Sequence, residues 1–369
     1  MKILVTGGAG FIGSHLVDRL VGNGHHVRIL DNLDPQTHQS RELKTLSKEA
    51  EFIRGDVRNP QDWSKALDGM EVVYHLGAAV GISQSMHRPV HFLEVNTVGT
   101  ANLYEILLNN SKLRGNIKKI IVPGSKTIYG EGTYKCRKCG IFYPGLRPKE
   151  QLENGDWEMC CPDCGERAEP IGTKEDKPVN PISIYALSKY DTENIALNFG
   201  HALNIPTLVF RGFSIYGPGQ SLSNPYSGVC SIFLSRIKNK KPPVIFEDGK
   251  QLRDYIFVDD VVSFLTRILD HDVVGVYNLG TGKPTSVNDI ARILLEETGS
   301  ELEPKLTGEF RVGDNRHDFA DMTKTEKEVG FSPKFRIKEG LRKLIEWGES
   351  EEAKDIFEES ERIRKSFFR

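Results

Sequence analysis

The sequence predicts an α/β chain: a doubly wound parallel sheet, a smaller C-terminal lobe, and a compact four-cysteine insert that interrupts the first body. Three observations carry this expectation. A glycine-spaced turn, Gly7, Gly10 and Gly13, joins the apolar run "KILVT" to a helical pattern and then a second apolar run. Apolar runs go on alternating with helical stretches, as parallel strands joined by crossover helices require. Five of the six cysteines fall between Cys136 and Cys164.

Size and charge bound what the chain does. With 369 residues it exceeds one compact core, so a large body and a lobe are expected. The expected division is 1–218 for the first body, with 133–175 as the insert and 252–278 returning to it, 219–347 for the lobe, and 348–369 for a C-terminal helix. A net charge of -2 leaves no surplus for a polyanion, and basic residues such as Lys118 and Lys119 are scattered, so no nucleic acid is expected. No stretch approaches the ~18 apolar residues of a membrane span. "MKILVTGG" enters the first apolar run without a leader, so the expected location is cytoplasmic, with no membrane partner.

Taken in order, "KILVTGGAGFIGSHLVDRLVGNGHHVRILDNLD" reads as strand, turn, amphipathic helix and a second strand closing on Asp31. Gly7 permits the tight turn, Gly10 lets a pyrophosphate approach the backbone, and Gly13 lets helix and strand pack closely. The strand before, the helix after and an acid about twenty residues on give the spacing its meaning, which is dinucleotide binding. Asp31 suits both hydroxyls of an adenosine ribose and repels a 2′-phosphate, so NAD is favoured over NADP; the alternative is a plain βαβ unit. Later strands end at Asp56 ("EFIRGDV"), near Gly77 ("EVVYHLGAAV") and at Ser125 ("IKKIIVPGS"). Ligands of such sheets bind beyond the carboxyl ends of the strands, which here carry Asp56, the Gly77–Ala78–Ala79 turn and Ser125. For Asp56 a helix cap is the alternative.

The cysteines come next. Cys136 with Cys139 and Cys161 with Cys164 form two C-x-x-C pairs, each followed by a glycine that lets backbone N–H groups turn toward sulfur. In a reducing cytosol such knuckles suit a tetrahedral Zn²⁺ better than disulfides or a redox pair. Cys160 could stand in for Cys161, but only Cys161 has the spacing to Cys164. With sulfur at all four positions none is left for a substrate, so the metal is expected to be structural. Cys230 reads as ordinary packing.

"SIYALSKY" sets Tyr185 and Lys189 four apart on one helical face. A phenol with a pKa of about 10 is a poor base at neutral pH, but an adjacent ammonium and a positively charged nicotinamide favour its anion. The last stretch, "SEEAKDIFEESERIRKSFF", is a charged amphipathic pattern, either a solvated helix or a docking one.

With these residues in place the sequence resembles the extended short-chain dehydrogenase/reductase family, within it the NAD-dependent nucleotide-sugar epimerases and dehydratases with a Rossmann-type fold. The resemblance runs through "TGGAGFIG", "HLGAAV", "NTVGT", "GSKTIYGEG", the Tyr185–Lys189 pair, "YGPGQ", "QLRDYIFVDDVV", "YNLGTG" and "RVGDNRHDFAD". It implies a cofactor pocket built from Gly7, Gly10, Phe11, Ile12 and Gly13, then Asp31 and Asn32, then Asp56 and Val57. Leu76, Gly77, Ala78, Ala79 and Asn96 complete it with Tyr185 and Lys189. It implies that Tyr185, Lys189 and Ser125 are catalytic, with Ser125 bonding the reacting sugar hydroxyl and Tyr185 exchanging its proton. Ser125, Thr127, Ser214, Asn224, Arg253 and Arg316 are implied to bind a nucleotide-diphosphate sugar, the two arginines gripping the diphosphate, in a homodimer.

Subtype rests on small differences. The family's 4,6-dehydratases carry Asp-Glu after the position of Ser125, an acid and base for eliminating water. Lys126 and Thr127 cannot do that work, and no acidic group paired with a dedicated Arg marks a decarboxylase. The insert, "SNPYSGV" and "PPVIFEDGKQLRDY" look like the bacterial dTDP-L-rhamnose 4-epimerases. Ser214, where the family has Asn, and Lys126 depart from the pattern. The expectation is therefore a 4-epimerase acting through a transient 4-keto sugar, with NAD and a structural zinc that folds a small ribbon beside the sugar pocket. UDP-hexose 4-epimerases, including N-acetyl and uronate forms, and nucleotide-sugar reductases or dehydratases are the alternatives. A non-catalytic NAD-bound scaffold is opposed by the intact Ser125, Tyr185 and Lys189.

Overall fold

The computed structural model describes residues 1–35, 37–38, 47–311 and 313–367. Its main sheet has seven parallel strands in the order Gly275–Leu279, Thr207–Gly212, Lys119–Pro123, Val72–His75, Lys2–Thr6, His26–Asp31, Glu51–Arg54. The chain builds outward from its first strand, then jumps to the other side of that strand, so the order reverses between Lys2–Thr6 and Val72–His75. Both faces are covered, which is why the inner strands read as continuous apolar runs. Alternate residues of the first strand feed different cores. Ile3 and Val5 pack with Leu16 of helix Phe11–Gly22 and Val261 of helix Val258–Arg267. Leu4 packs with Leu67, Leu103 and Ala196 of the helices on the opposite face.

At the reversal two loops cross. Gly7 has φ +66°, and a Cβ there would lie 2.8 Å from the Cα of Gly77. Only a residue without a side chain lets the first turn and the Gly77 turn touch. The strands stop short of the expected ends, at Arg54, His75 and Pro123. Asp56, Gly77 and Ser125 thus stand two residues beyond, in the loops that rim the crevice.

A second, small sheet forms around Leu252–Phe257, which pairs in parallel with Ser214–Tyr216 and His317–Asp318 and antiparallel with Pro284–Ser286. The expected return of 252–278 to the first body therefore starts later, at helix Val258–Arg267, and ends in strand Gly275–Leu279. The reason is polar: the buried Asp254 carboxylate accepts from the N–H groups of Thr281 (2.7 Å), Gly282 (2.9 Å) and Ala320 (3.1 Å), partners that an apolar parallel sheet lacks.

The insert is a three-stranded antiparallel sheet, Gly140–Phe142, Thr133–Cys136 and Glu169–Ile171, over a core of Tyr134, Met159 and Ala168. Its last strand leads into Thr173, which exchanges backbone hydrogen bonds with Phe319 and Asp321 of the lobe. The expected helix 348–369 is corrected: Ile337–Glu349 ends near its start, and Phe357–Phe367 is separate. Asp355 breaks the run by accepting the Phe357 N–H at 3.1 Å while its other oxygen meets Arg236. No helix among the described residues is long and apolar enough to cross a membrane.

Candidate active site

Ser125 caps the single 3₁₀ turn Lys126–Tyr129: its Oγ accepts the Thr127 N–H at 3.2 Å and shares a 2.8 Å hydrogen bond with the Thr127 hydroxyl. Helix Ile184–Ala202 starts opposite. Ser183 caps it through the Ala186 N–H (3.1 Å), and Ser85 Oγ accepts the Tyr185 N–H (3.0 Å). These caps set Tyr185 beside Ser125, whose hydroxyl lies near enough to act on the phenol. Burial raises the Tyr185 phenol above its ordinary value, and the Ser125 hydroxyl pulls the other way. Lys189, one turn on, is buried, and desolvation brings its ammonium down to about 7 against the pull of Glu193. Glu193 divides its charge, because Arg211 holds it at 2.5 and 3.0 Å.

The crevice at the sheet reversal has the shape of a dinucleotide cradle. A Cβ on Gly10 would meet only the Gly7 carbonyl, at 3.2 Å, so its outer side is open, whereas one on Gly13 would collide with that carbonyl. Asp31 ends the second strand, its carboxylate accepting the N–H of Ala9 (3.0 Å) and Leu33 (2.9 Å). Phe11 stacks edge-on with His15, whose Nε2 is 2.8 Å from the Pro218 carbonyl, and Ile12 packs against the core. Asn32 Nδ2 donates to Asp56 at 2.9 Å, and Arg58 pairs with Asp56 at 2.8 Å. Burial raises the Asp56 carboxyl, but these hydrogen bonds outweigh it and hold the group at about 2. Asn59, not Asp56, caps helix Pro60–Leu67, through the Gln61 N–H.

Val57 lies against Gly77, whose N–H donates to Thr6 Oγ1 at 3.0 Å. Leu76 joins the core below, and Ala78 and Ala79 continue the turn. Asn96, within the π-helical turn Leu93–Val98, stands behind this turn rather than in the crevice. It bonds both backbone groups of Ala79 (2.8 and 3.0 Å) and Ser188 Oγ (2.9 Å), tying the turn to the Tyr185 helix. Sequence reasoning missed His75. Its ring bridges Thr6 Oγ1 (2.8 Å) and Thr100 Oγ1 (3.1 Å), and burial lowers it to about 3, so it is neutral. A lone histidine in an apolar strand carries no signal that separates this bridge from ordinary packing.

On the lobe side, Lys126 Nζ donates to Asp318 (2.5 Å) and Ser214 Oγ (3.1 Å), which gathers Ser214 beside Ser125 and Thr127. Arg253 joins them, its Nε 3.4 Å from Asp318. Asn224 folds its own loop, accepting the Tyr226 N–H at 3.0 Å. Arg316 departs from expectation: it is 0 % exposed, and Glu158, Glu247 and Asp248 take its guanidinium N–H groups at 2.5 to 3.0 Å, so no donor is left for a diphosphate. Arg311, the other arginine of that stretch, stacks on Phe246 at 4.0 Å and meets Glu361 at 2.5 Å, its Nε buried without a partner.

The insert brings Cys136, Cys139, Cys161 and Cys164 together, with all four Sγ atoms within 4.8 Å of one another. Tetrahedral Zn²⁺ with Zn–S near ~2.3 Å requires S–S separations of roughly 3.8 Å, so the set fits such an ion after small adjustment. N–H groups of Cys139 and Lys138 directed at the Cys136 sulfur bring its thiol down to about 7, while hydrogen bonds among the crowded sulfurs push Cys139 up to about 12. Cys160 lies outside the cluster, in a bridge to Arg167, and Cys230 is buried in the main core.

The chain is similar in sequence and fold to known proteins. The model of the NAD dependent epimerase/dehydratase family matches residues 3–144 and 161–280, breaking within the cysteine-bearing insert. A dTDP-L-rhamnose 4-epimerase of Burkholderia thailandensis is 32% identical over 94% of this chain and 94% of its own. A putative UDP-glucose 4-epimerase of Methanocaldococcus jannaschii is 31% identical over 94% of this chain and 97% of its own. Among solved structures, UDP-glucose 4-epimerase of Thermotoga maritima with UDP-glucose superposes with a TM-score of 0.76 at 30% identity, covering 95% of this chain and 99% of that one. UDP-glucose 4-epimerase of Thermus thermophilus in complex with NAD gives 0.74 at 28% identity, covering 95% and 99%.

Proposed function

Since the chain belongs to the NAD dependent epimerase/dehydratase family, we propose that it is an NAD-dependent 4-epimerase of a nucleotide-activated sugar, with a dTDP-L-rhamnose-like sugar as its substrate. One observation carries this reading: Tyr185 stands beside Ser125 at the rim of the crevice, with Lys189 one helical turn behind. The pair suits removing and returning one hydroxyl proton, and the two positions that carry Asp-Glu in the dehydratases are filled here by Lys126, tied to Asp318, and Thr127.

In this mechanism Ser125 orients the C4 hydroxyl and Tyr185, as phenolate, accepts its proton. Lys189, when protonated, favours the phenolate through its charge, as does a positively charged nicotinamide. NAD, when bound, supplies a reversible hydride acceptor, which Gly10 admits to the backbone and Asp31 orients through the ribose. Arg253 holds the diphosphate, with Arg311 rather than Arg316 the second cation at that end, while Thr127, Ser214 and Asn224 line a loosely fitting sugar pocket. A fixed diphosphate with a free sugar is what allows the 4-keto ring to present its other face.

Cys136, Cys139, Cys161 and Cys164 would hold one Zn²⁺, a cross-link that folds the insert. The proposed division is a cofactor body to residue 218 with 258–279 returning to it, and a sugar lobe beyond. The proposed enzyme is a cytoplasmic homodimer, for whose interface Val98, Leu108 and, on the dyad's own helix, Leu187 offer exposed apolar side chains. Incubation with dTDP- and UDP-sugars, with products resolved by NMR, tests the reading: a 4-epimer without net NADH supports it. Conversion of UDP-hexoses alone would move the substrate to the UDP series, and a dehydrated or reduced product would overturn epimerisation.

A further inference from the structure

Arg316 sits where two bodies meet. Its guanidinium takes Glu158 from the cysteine-bearing insert (Nε 3.0 Å, Nη2 2.5 Å) and, from the lobe, Glu247 (Nη1 2.9 Å) and Asp248 (Nη1 2.8 Å, Nη2 3.0 Å). Arg147 of the insert clamps the same Glu247 at 2.7 and 2.9 Å. Glu158 also reaches His317 Nε2 at 3.0 Å and lies three residues before Cys161. One short strand of chain therefore supplies both a thiolate of the metal cluster and the carboxylate that fixes Arg316. The backbone at Arg316, in turn, touches the proposed diphosphate ligand. The carbonyls of Asn315 and Arg316 accept from Arg253 Nη2 (2.8 Å) and Nη1 (2.9 Å). Arg253 in turn faces Asp318, which pairs with Lys126 beside Ser125.

We propose that Glu158 is a positioning residue: it links the four-cysteine insert to the diphosphate end of the site by fixing Arg316, whose backbone fixes Arg253. The inference rests on the reading of Arg253 as a diphosphate ligand. A buried charge cluster tolerates few arrangements, because displacing one member strands the others unpaired in a poorly solvating interior. With the insert folded, residues 314–318 are held in one geometry; with the insert loosened, Arg316 loses Glu158 and the carbonyls aiming Arg253 are freed. An insert of three short strands depends on its cross-link to stay folded. Coupling of this kind is reciprocal: whatever factor the metal-bound insert adds to diphosphate affinity, a bound diphosphate adds to metal affinity. A cluster that merely glued the insert in place would lower stability when broken but create no such linkage.

The test uses the intact, zinc-loaded, NAD-bound protein. Zinc affinity is measured by equilibrium competition against a chelator, with and without saturating UDP and, separately, dTDP. Either nucleotide is expected to tighten zinc by roughly fivefold or more, the usual range of coupling between sites. In Glu158→Gln the same nucleotide should tighten zinc less than about twofold, and its own dissociation constant should rise by a factor near the one lost, with NAD content unchanged. If UDP and dTDP bind the wild type yet leave zinc affinity unchanged, or if Glu158→Gln keeps the wild-type ratio, the inference fails while the functional reading stands. If neither nucleotide binds at all, both fail. A wild type without the linkage overturns the inference whether or not the variant folds.

Discussion

Tyr185 and Lys189 feel burial in opposite senses: desolvation pushes the phenol up and the ammonium down, each toward its neutral form. Burial alone thus favours the neutral pair, and a positively charged nicotinamide beside the phenol is what would favour its anion. Tyr185→Phe is expected to lower turnover by roughly 10²-fold or more while NAD remains bound, read by steady-state rates and cofactor content. His75 gives a pH signature. Its folded pKa of about 3 lies below the unfolded value of 6.5, so the unfolded chain binds the proton first as pH falls. The stability it allows is complete above about pH 6.5 and is lost toward pH 3, at roughly 1.4 kcal/mol per unit. Urea unfolding at pH 7 and pH 5 should therefore cost the wild type about 2 kcal/mol more than His75→Gln. An equal loss in both would remove His75 from the acid response. The dyad was legible because Tyr185 and Lys189 carry their spacing and Ser125 its place after an apolar run. Arg316 was misread because a motif shows the residue and not its partners, and Glu158 and Asp248 come from distant segments.

At the scale of elements, the glycine turn separates folding from binding. Gly7→Ala adds a Cβ at 2.8 Å from Gly77 in a left-handed conformation and should cost roughly 2–4 kcal/mol, because two crossing loops must part. Gly10 has φ -76°, a conformation any residue adopts, and meets only one carbonyl. Gly10→Ala should leave stability within about 1 kcal/mol of wild type yet weaken NAD, because the methyl group stands where the pyrophosphate approaches. Melts and NAD titrations on the two variants check the contrast; equal NAD loss with equal destabilisation would erase it. The insert separates structure from chemistry in the same way. About one zinc per chain is expected, cobalt in its place should keep turnover, and Cys136→Ser should weaken sugar-nucleotide binding with NAD still in place. Strands were legible where both faces are buried, as in Ile3 to Val5. Leu252–Phe257 was misassigned because its apolar residues match a main-sheet strand, while the deciding fact, Asp254 gathering three N–H groups from residues 281, 282 and 320, is tertiary.

For the whole molecule, the two sheets are joined by the chain passing from strand Thr207–Gly212 directly into Ser214–Tyr216, and by helix Val258–Arg267 leading back. The closing segment belongs to the lobe alone. Arg236, buried in helix Val229–Lys238, meets Asp355 at 3.3 Å and Glu358 at 2.8 Å and lies under the Phe357 ring, while Lys241 pairs with Asp355 at 2.9 Å. The sequence favoured a solvated helix over one that docks a partner, though a charged amphipathic pattern does not say whose charges it faces. Truncation after Glu349 uncovers Arg236 to water instead of stranding it in the interior, so the cost should be nearer ~1–3 kcal/mol than the larger loss of breaking a fully buried pair. The main sheet makes none of these contacts, so the truncated protein should melt earlier yet still bind NAD with wild-type affinity. Loss of NAD together with stability would instead mean that the two sheets fold as one cooperative unit, in which the tail's charge pairs support the cofactor crevice at a distance.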